Sequence, residues 1–171
     1  MKIDRSATLE EIQLHLKRLG TGVSLDRDDY PSKLAGSTAQ RVLLEPEDAD
    51  RLVMWFEFKK YTPGESCRVV DVSEALLAQD VRGQKRVKSH MDGDSARGFL
   101  PTDLRAAREL ELVAVSTGSP SDFLLLIDGN HRAIAQQLKA YGFAGVPAFV
   151  VSHPDMWRWP YASPVRKLLT P

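Results

Sequence analysis

A short polar run in the second half of the chain combines residue types that hold phosphate groups. It reads Asp-Gly-Asn-His-Arg at positions 128–132 and follows the apolar run Phe123–Ile127. An arginine offers a permanent charge and paired N–H donors, and a histidine adds a donor that becomes charged at lower pH. These types side by side predict a pocket for an anion, most naturally a phosphate.

The neighbouring sequence predicts the elements that would position this run. The preceding FLLLI is apolar at every position, which is typical of a strand buried on both faces. Gly129 permits a tight turn with a positive φ, Asn130 is a favourable helix cap, and the apolar residues of His131–Tyr141 are spaced as a helix face. A strand end would therefore lead into a helix N-terminus, whose amides and macrodipole attract anions.

The same residues also suit a purely structural turn. Asp-Gly and Asn are ordinary turn and cap residues, and His131 and Arg132 would then be solvated in the first helical turn. One conflict favours the anion: an arginine at a helix N-terminus opposes the macrodipole, and a bound anion would remove that cost.

Strand and helix signals along the chain predict an α+β or α/β domain with a small mixed sheet flanked by helices. The predicted strands are Cys67–Val72, Leu112–Ser116, Phe123–Ile127 and Val146–Val151, the middle two forming a hairpin. The predicted helices are 8–19, Pro46–Lys60, Ser73–Gln79, Pro101–Leu110 and His131–Tyr141. Thr8 with Glu11 forms a capping box for the first helix, and 21–44 is expected to be a surface connection. The chain is thus divided into a helical N-terminal segment, 1–62, and a domain, 63–171, with an aromatic C-terminal tail.

Composition restricts the partners. The 171 residues include 23 basic and 23 acidic ones, so binding to nucleic acid would need a local basic patch. Cys67 stands alone, which excludes an intramolecular disulfide, and no spacing of cysteine and histidine predicts a structural metal. There is no secretory signal and no apolar run long enough to cross a membrane, so the expectation is a cytoplasmic protein without a membrane partner.

The segment LLLIDGNHRAIAQQLKAYGFAGVPAFVV, 124–151, resembles the phosphate-binding segment of the ParB/sulfiredoxin superfamily. In that family a strand ends in a Gly-x-His-Arg or Gly-x-Arg-Arg turn, a helix follows, and the next strand begins with Val-Pro or Ile-Pro. Gly129–Arg132 and Val146–Pro147 fill those places, and 68–77 resembles the family's first strand and helix more weakly. The resemblance implies that Asp128, Gly129, Asn130, His131 and Arg132 hold the phosphates of ATP, CTP or their diphosphates.

The resemblance also implies candidate catalytic residues for a phosphotransferase or a nucleoside triphosphatase, although the sequence leaves open whether the chain is an enzyme. Such chemistry uses a positioned nucleophile and Mg²⁺. A glutamate near the first strand–helix junction is the general base of the resembling kinases, which points to Glu74, with Asp71 and His131 as further candidates. Asp128 would hold Mg²⁺ or orient His131 and Arg132. The structural alternatives are an exposed helix acid for Glu74 and an Asx turn for Asp128.

This sequence differs from the family's pattern at two points, and each difference limits the activity that the resemblance implies. Asn130 stands where sulfiredoxin has its reactive cysteine, so cysteine repair is not expected, and Cys67 is predicted to be a buried apolar residue. The partition proteins carry two arginines and a downstream helix-turn-helix domain, whereas this chain has His131 and Arg132 and ends soon after the last predicted strand.

Two alternatives from other classes remain open. A DNA-associated ParB-like module of a plasmid, phage or nuclease system would use the basic segment 82–88, which contains Lys85, Arg86 and Lys88. A non-catalytic interaction protein would use the fold as a scaffold and bind a partner through the N-terminal helices and the aromatic tail, which contains Trp157, Trp159 and Tyr161. The simpler interpretation of these aromatic residues is that they pack the tail onto the sheet.

Overall fold

The structure is a computed structural model that describes residues 1–19, 36–54, 67–78, 111–119, 121–138, 142–159 and 162–170. In these ranges the strands are β1 (Lys2–Ser6), β2 (Thr38–Leu43), β3 (Leu52–Met54), β4 (Leu112–Ser116), β5 (Leu124–Asp128) and β6 (Pro147–Ser152). The α-helices are α1 (Leu9–Leu19), α2 (Val69–Leu77), α3 (Asn130–Leu138) and α4 (Ser163–Leu169). Short 3₁₀ helices cover Pro46–Arg51 and Met156–Arg158.

The strands form one mixed sheet in the order β1-β2-β6-β4-β5-β3. β4 and β5 are an antiparallel hairpin, β6 runs parallel to β4, and β3 runs parallel to β5. β2 joins the antiparallel pair β1–β2 to β6. The described residues therefore have an α+β fold with a mixed sheet, as the sequence predicts.

Apolar side chains cover both faces of this sheet. On one face the helices α2 and α3 pack together, and on the other lie α1 and the C-terminal segment. The helix residues buried on the first side are Val69, Val72, Ala133 and Ile134, and those on the second side are Ile12, Leu16 and Val165. Because α3 follows β5 directly and packs with α2 over this face of the sheet, its first turn is fixed at the end of β5.

Several sequence predictions are confirmed. The helix at 8–19 is α1, and the Thr8 hydroxyl accepts a hydrogen bond of 3.1 Å from the Glu11 amide. The predicted hairpin is β4–β5, and the helix and strand that follow it are α3 and β6. Cys67 is buried, as predicted. No helix of the described ranges has the length and apolar character that crossing a membrane requires.

The predicted helical N-terminal segment, 1–62, is wrong, because three strands of the central sheet lie in it besides α1. β1 is exposed along its whole length, and β2 buries only Val42 fully, so neither carries the alternating pattern that marks a strand. Their pairing depends on β6, which is distant in the sequence. Part of the predicted surface connection at 21–44 is thus β2.

Two other assignments are wrong. The predicted helix Pro46–Lys60 is a 3₁₀ helix only to Arg51, after which β3 begins and pairs with β5. The predicted strand Cys67–Val72 is largely the first part of α2, which begins at Val69. Valine favours strands locally, but here the contacts of α2 with α3 override that preference. The predicted helix Pro101–Leu110 lies outside the described residues.

The aromatic tail is joined to the β4–β5 loop through Asp122. The indole Nε1 of Trp157 donates to both Asp122 carboxylate oxygens at 3.0 and 3.2 Å, and the Thr117 hydroxyl donates to Oδ2. The Phe123 amide donates to Oδ1 at 2.8 Å. Trp159 is buried, so the packing interpretation is confirmed for both tryptophans, while Tyr161 lies outside the described residues.

Replacing Asp122 with alanine is expected to lower the free energy of unfolding by about 2 to 3 kcal/mol, because several donors lose a charged acceptor. Urea unfolding followed by tryptophan fluorescence measures this loss. Asp50→Ala is the matched control, since Asp50 is exposed and its ion pair with Arg68 spans 3.7 Å. That control should change the stability by less than about 0.5 kcal/mol. Equal losses in the two variants would contradict the assigned role of Asp122.

Candidate functional site

The predicted strand–turn–helix corner is present. β5 ends at Asp128, Gly129 follows with φ +85°, and α3 begins at Asn130. The first hydrogen bond of the helix runs from the Ala133 amide to the Gly129 carbonyl at 2.8 Å. Gly129 therefore occupies the N-cap position, and the prediction that Asn130 caps the helix is wrong. The amides ahead of Ala133 lie outside the internal ladder of the helix, as at any helix start.

Arg132 is buried, with 8% of its surface exposed, and folds back over the turn. Its Nη2 donates to Oδ2 of Asp128 at 2.5 Å and to the Glu111 carbonyl at 3.2 Å. Asp128 is equally buried and lies one helical turn before the arginine. The charge of Arg132 is thus balanced within the chain, so its place at a helix N-terminus does not by itself require a bound anion. Asp128 orients Arg132, one of the two roles predicted for it.

Two polar atoms of the turn nevertheless have no hydrogen-bond partner among the residues that the structure describes. They are Nε of Arg132 and Oδ1 of Asn130, both fully buried atoms. A buried donor or acceptor without a partner costs about 1 to 3 kcal/mol, and native proteins contain few of them. Both atoms would be satisfied by a bound molecule that offers an acceptor to the arginine and a donor to the asparagine.

Glycine is the residue that the turn can accommodate at position 129. A Cβ atom there would lie 2.4 Å from Cδ2 of Leu112 and 2.9 Å from Nη2 of Arg132. Real Cβ atoms do not approach their neighbours so closely, and the positive φ adds strain for any L side chain. The guanidinium therefore lies directly against the backbone of the turn.

Glu111 connects this turn to the N-terminal part of the chain. Besides accepting from Arg132, its carbonyl oxygen lies 3.3 Å from Nε2 of His15, and its carboxylate lies 3.4 Å from Nδ1 of the same ring. The carboxylate also forms an ion pair with Arg41, which in turn pairs with Asp4. Arg41 donates hydrogen bonds to the carboxylates of Glu111 and Asp4. These bonds, that to Glu111 most of all, raise the pKa of Arg41, although burial acts in the opposite direction.

The sequence did not predict this Glu111 cluster. The available signal was a charged residue directly before the buried strand β4. Since β4 and β5 are antiparallel, the start of β4 lies beside the end of β5, and Glu111 therefore lies next to Asp128.

Of the remaining candidates, His131 belongs to this corner, and Asp71 and Glu74 lie on α2. His131 is half-buried in the first turn of α3. Asp71, near the start of α2, lies 3.9 Å from Nη1 of Arg68, and Glu74 is exposed on the same helix. Within the ranges that the structure covers, no recorded hydrogen bond or ion pair joins Glu74 to the turn. The basic residues Lys85, Arg86 and Lys88 lie outside the described residues.

The acidic side chains around the corner do not form a complete metal site. Among the described residues, no group of three or more histidine, cysteine, aspartate or glutamate side chains is arranged to hold a metal ion. Mg²⁺ usually needs only one or two carboxylates when it arrives with phosphate oxygens. Asp128 is the carboxylate at the turn that fits this mode of binding.

Comparison of the chain with protein-family models, curated proteins and solved structures finds no match.

Proposed function

We propose that the chain binds a nucleotide through its phosphates at the turn Asp128–Arg132. The observation that carries this proposal is the buried Nε of Arg132, which lies at a helix start and has no hydrogen-bond partner within the described ranges. A phosphate oxygen is a strong acceptor for such a donor. The first turn of α3 contains no acidic residue, so the helix itself presents no competing charge to an anion.

The ion pair between Asp128 and Arg132 favours a ligand that brings a divalent cation. A bare anion near Arg132 would also meet the carboxylate of Asp128, at 2.5 Å from the guanidinium. In a Mg²⁺–nucleotide complex, Asp128 would ligate the cation while phosphate oxygens bind Arg132, so that each charge keeps a partner. This exchange of charged partners favours the Mg²⁺ complex of ATP, CTP or one of their diphosphates as the ligand.

The proposed activity is that of a phosphotransferase or nucleoside triphosphatase of the ParB/sulfiredoxin-like type. His131 belongs to the same turn, and α2, which carries Asp71 and Glu74, packs against α3. These side chains are the proposed catalytic candidates, with Glu74 as the general base. The arrangement supports the proposal because an exposed acid on a neighbouring helix remains available to an acceptor substrate.

Thermal unfolding with ATP, ADP, CTP and CDP, each with and without Mg²⁺, tests the proposal. A nucleotide present at 100 times its dissociation constant adds about 2.7 kcal/mol to the stability of the protein. We expect such stabilisation in the wild type and its loss in Arg132→Gln. Arg51→Gln is the matched control, because Arg51 also binds a buried carboxylate, that of Asp48 at 2.5 Å. The control should unfold more easily yet keep the full nucleotide shift.

In the same assay, Asp128→Asn distinguishes the contribution of Mg²⁺ to binding from the contribution of the phosphates. Removing the carboxylate should strengthen binding of metal-free nucleotide, because Arg132 loses its competing partner, and should abolish the additional effect of Mg²⁺. Absence of any nucleotide shift in the wild type, or a shift that survives Arg132→Gln unchanged, would contradict the proposal. Retention of DNA without a nucleotide shift would favour the DNA-associated alternative.

A further inference from the structure

Asn130 performs none of the tasks that usually explain an asparagine at a helix start. The helical ladder begins from the Gly129 carbonyl, so the side chain of Asn130 is not an N-cap. Only 7% of its surface is exposed, and among the residues that the structure describes no donor reaches its Oδ1. A buried polar side chain without a protein partner is an exception, which a bound group or an ordered water molecule would explain.

Asn130 belongs to the turn that is proposed to bind phosphate, directly after Gly129. It is the first residue of α3 and precedes Ala133 and Ile134 by three and four positions, so it shares their inward face. Arg132 Nε, the unpartnered donor, belongs to the same helical turn. One turn therefore offers a donor for a phosphate oxygen and, separately, an acceptor that a fully ionised phosphate cannot satisfy.

We infer that Asn130 recognises a hydrogen-bond donor on the organic part of the ligand, so that the site selects a nucleotide over a bare polyphosphate. This inference rests on the proposed function and adds the residue that determines its specificity. The donor is either a ribose hydroxyl or the exocyclic amino group of the base, both of which suit an amide oxygen. A site with a buried acceptor disfavours a ligand that leaves the acceptor unpaired.

Isothermal titration calorimetry of the full chain tests this inference by comparing the affinities for two ligands. One is inorganic tripolyphosphate, and the other is whichever of ATP and CTP stabilises the wild type more. In Asn130→Leu, the preference for nucleotide over tripolyphosphate should fall about tenfold, while the affinity for tripolyphosphate is retained. The unliganded variant should unfold no more easily than the wild type, because the change removes an unsatisfied acceptor. Asn130→Ala provides the same test with a smaller side chain if leucine does not fit.

Gln136→Leu is the matched control. Gln136 is equally buried in α3, but its Nε2 donates to the Gly142 carbonyl at 2.8 Å, away from the turn. This variant should lose stability and keep the nucleotide preference. Two kinds of analogue, tested on the wild type, identify which group of the nucleotide donates to Asn130. A 2′,3′-dideoxynucleotide lacks the ribose hydroxyls, and inosine or uridine triphosphate lacks the amino group of ATP or CTP.

The outcomes separate this inference from the proposed function. If the wild type binds neither nucleotide nor tripolyphosphate, both are overturned. If it binds both ligands and Asn130→Leu leaves the preference unchanged, a water molecule satisfies Oδ1, and only the inference about Asn130 fails. Loss of the preference with either analogue supports the inference, and loss with neither overturns it.

Discussion

Replacing Asp128 with alanine is expected to lower the free energy of unfolding by about 3 to 5 kcal/mol, because it leaves a buried guanidinium without its counter-charge. Both partners are about nine-tenths buried, and the ion pair measures 2.5 Å. Among the described residues, only the neutral Glu111 carbonyl would remain as an acceptor for Arg132. Chemical unfolding followed by circular dichroism gives the loss directly.

A double variant distinguishes an unpaired charge from a general packing defect. Asp128→Leu combined with Arg132→Met removes both charges and should be markedly more stable than Asp128→Ala alone. Asp155→Ala serves as the surface control, because its ion pair with Arg158 is exposed and should contribute less than about 1 kcal/mol. A double variant less stable than the single one would rule out the ion pair as the cause.

Replacing Gly129 with alanine is expected to lower the free energy of unfolding by about 2 to 5 kcal/mol, from two sources that add. An L residue at φ +85° loses about 1 to 2 kcal/mol through backbone strain. The new methyl group would also overlap the side chains of Leu112 and Arg132, and such crowding costs about 1 to 3 kcal/mol. Differential scanning calorimetry, repeated with nucleotide, measures both the stability and the integrity of the turn.

Gly145→Ala isolates the strain from the crowding. Gly145 has φ +76°, and no atom of the described residues lies within 4 Å of the position its Cβ would take. Its loss should therefore stay near the strain alone, about 1 to 2 kcal/mol. If the two glycine variants were equally stable, the close approach of Arg132 to the turn would be refuted.

The parts of the fold that the sequence predicts correctly are those whose signals are local. Thr8 and Glu11 cap α1 through contacts three residues apart, and the hairpin β4–β5 needs only two apolar runs and a short polar loop. The strands β1 and β2 lacked such signals, because their stability comes from pairing with residues far along the chain. The prediction of a strand at Val69 and Val72 was wrong because valine favours a strand locally. The helix found there depends on packing against α3.

The sequence predicts where the candidate site lies but not the hydrogen bonds and ion pairs within it. An apolar strand, a glycine and a helical pattern define the corner at Asp128–Arg132, and the structure contains it. The partner of Arg132 depends on rotamers and on the approach of Glu111 from another strand, which no spacing reveals. For the same reason the lack of a partner for Asn130 is visible only in three dimensions.

The sheet order has a consequence for how the polypeptide is made. β2, near the start of the chain, is bordered by β1 and β6, and its register joins Thr38 to Ser152 and Leu43 to Pro147. While the ribosome is still adding residues before β6, the inner edge of β2 has no strand to pair with. Completing the sheet must therefore wait until residues 147–152 have emerged, and contacts of such long sequence separation slow folding.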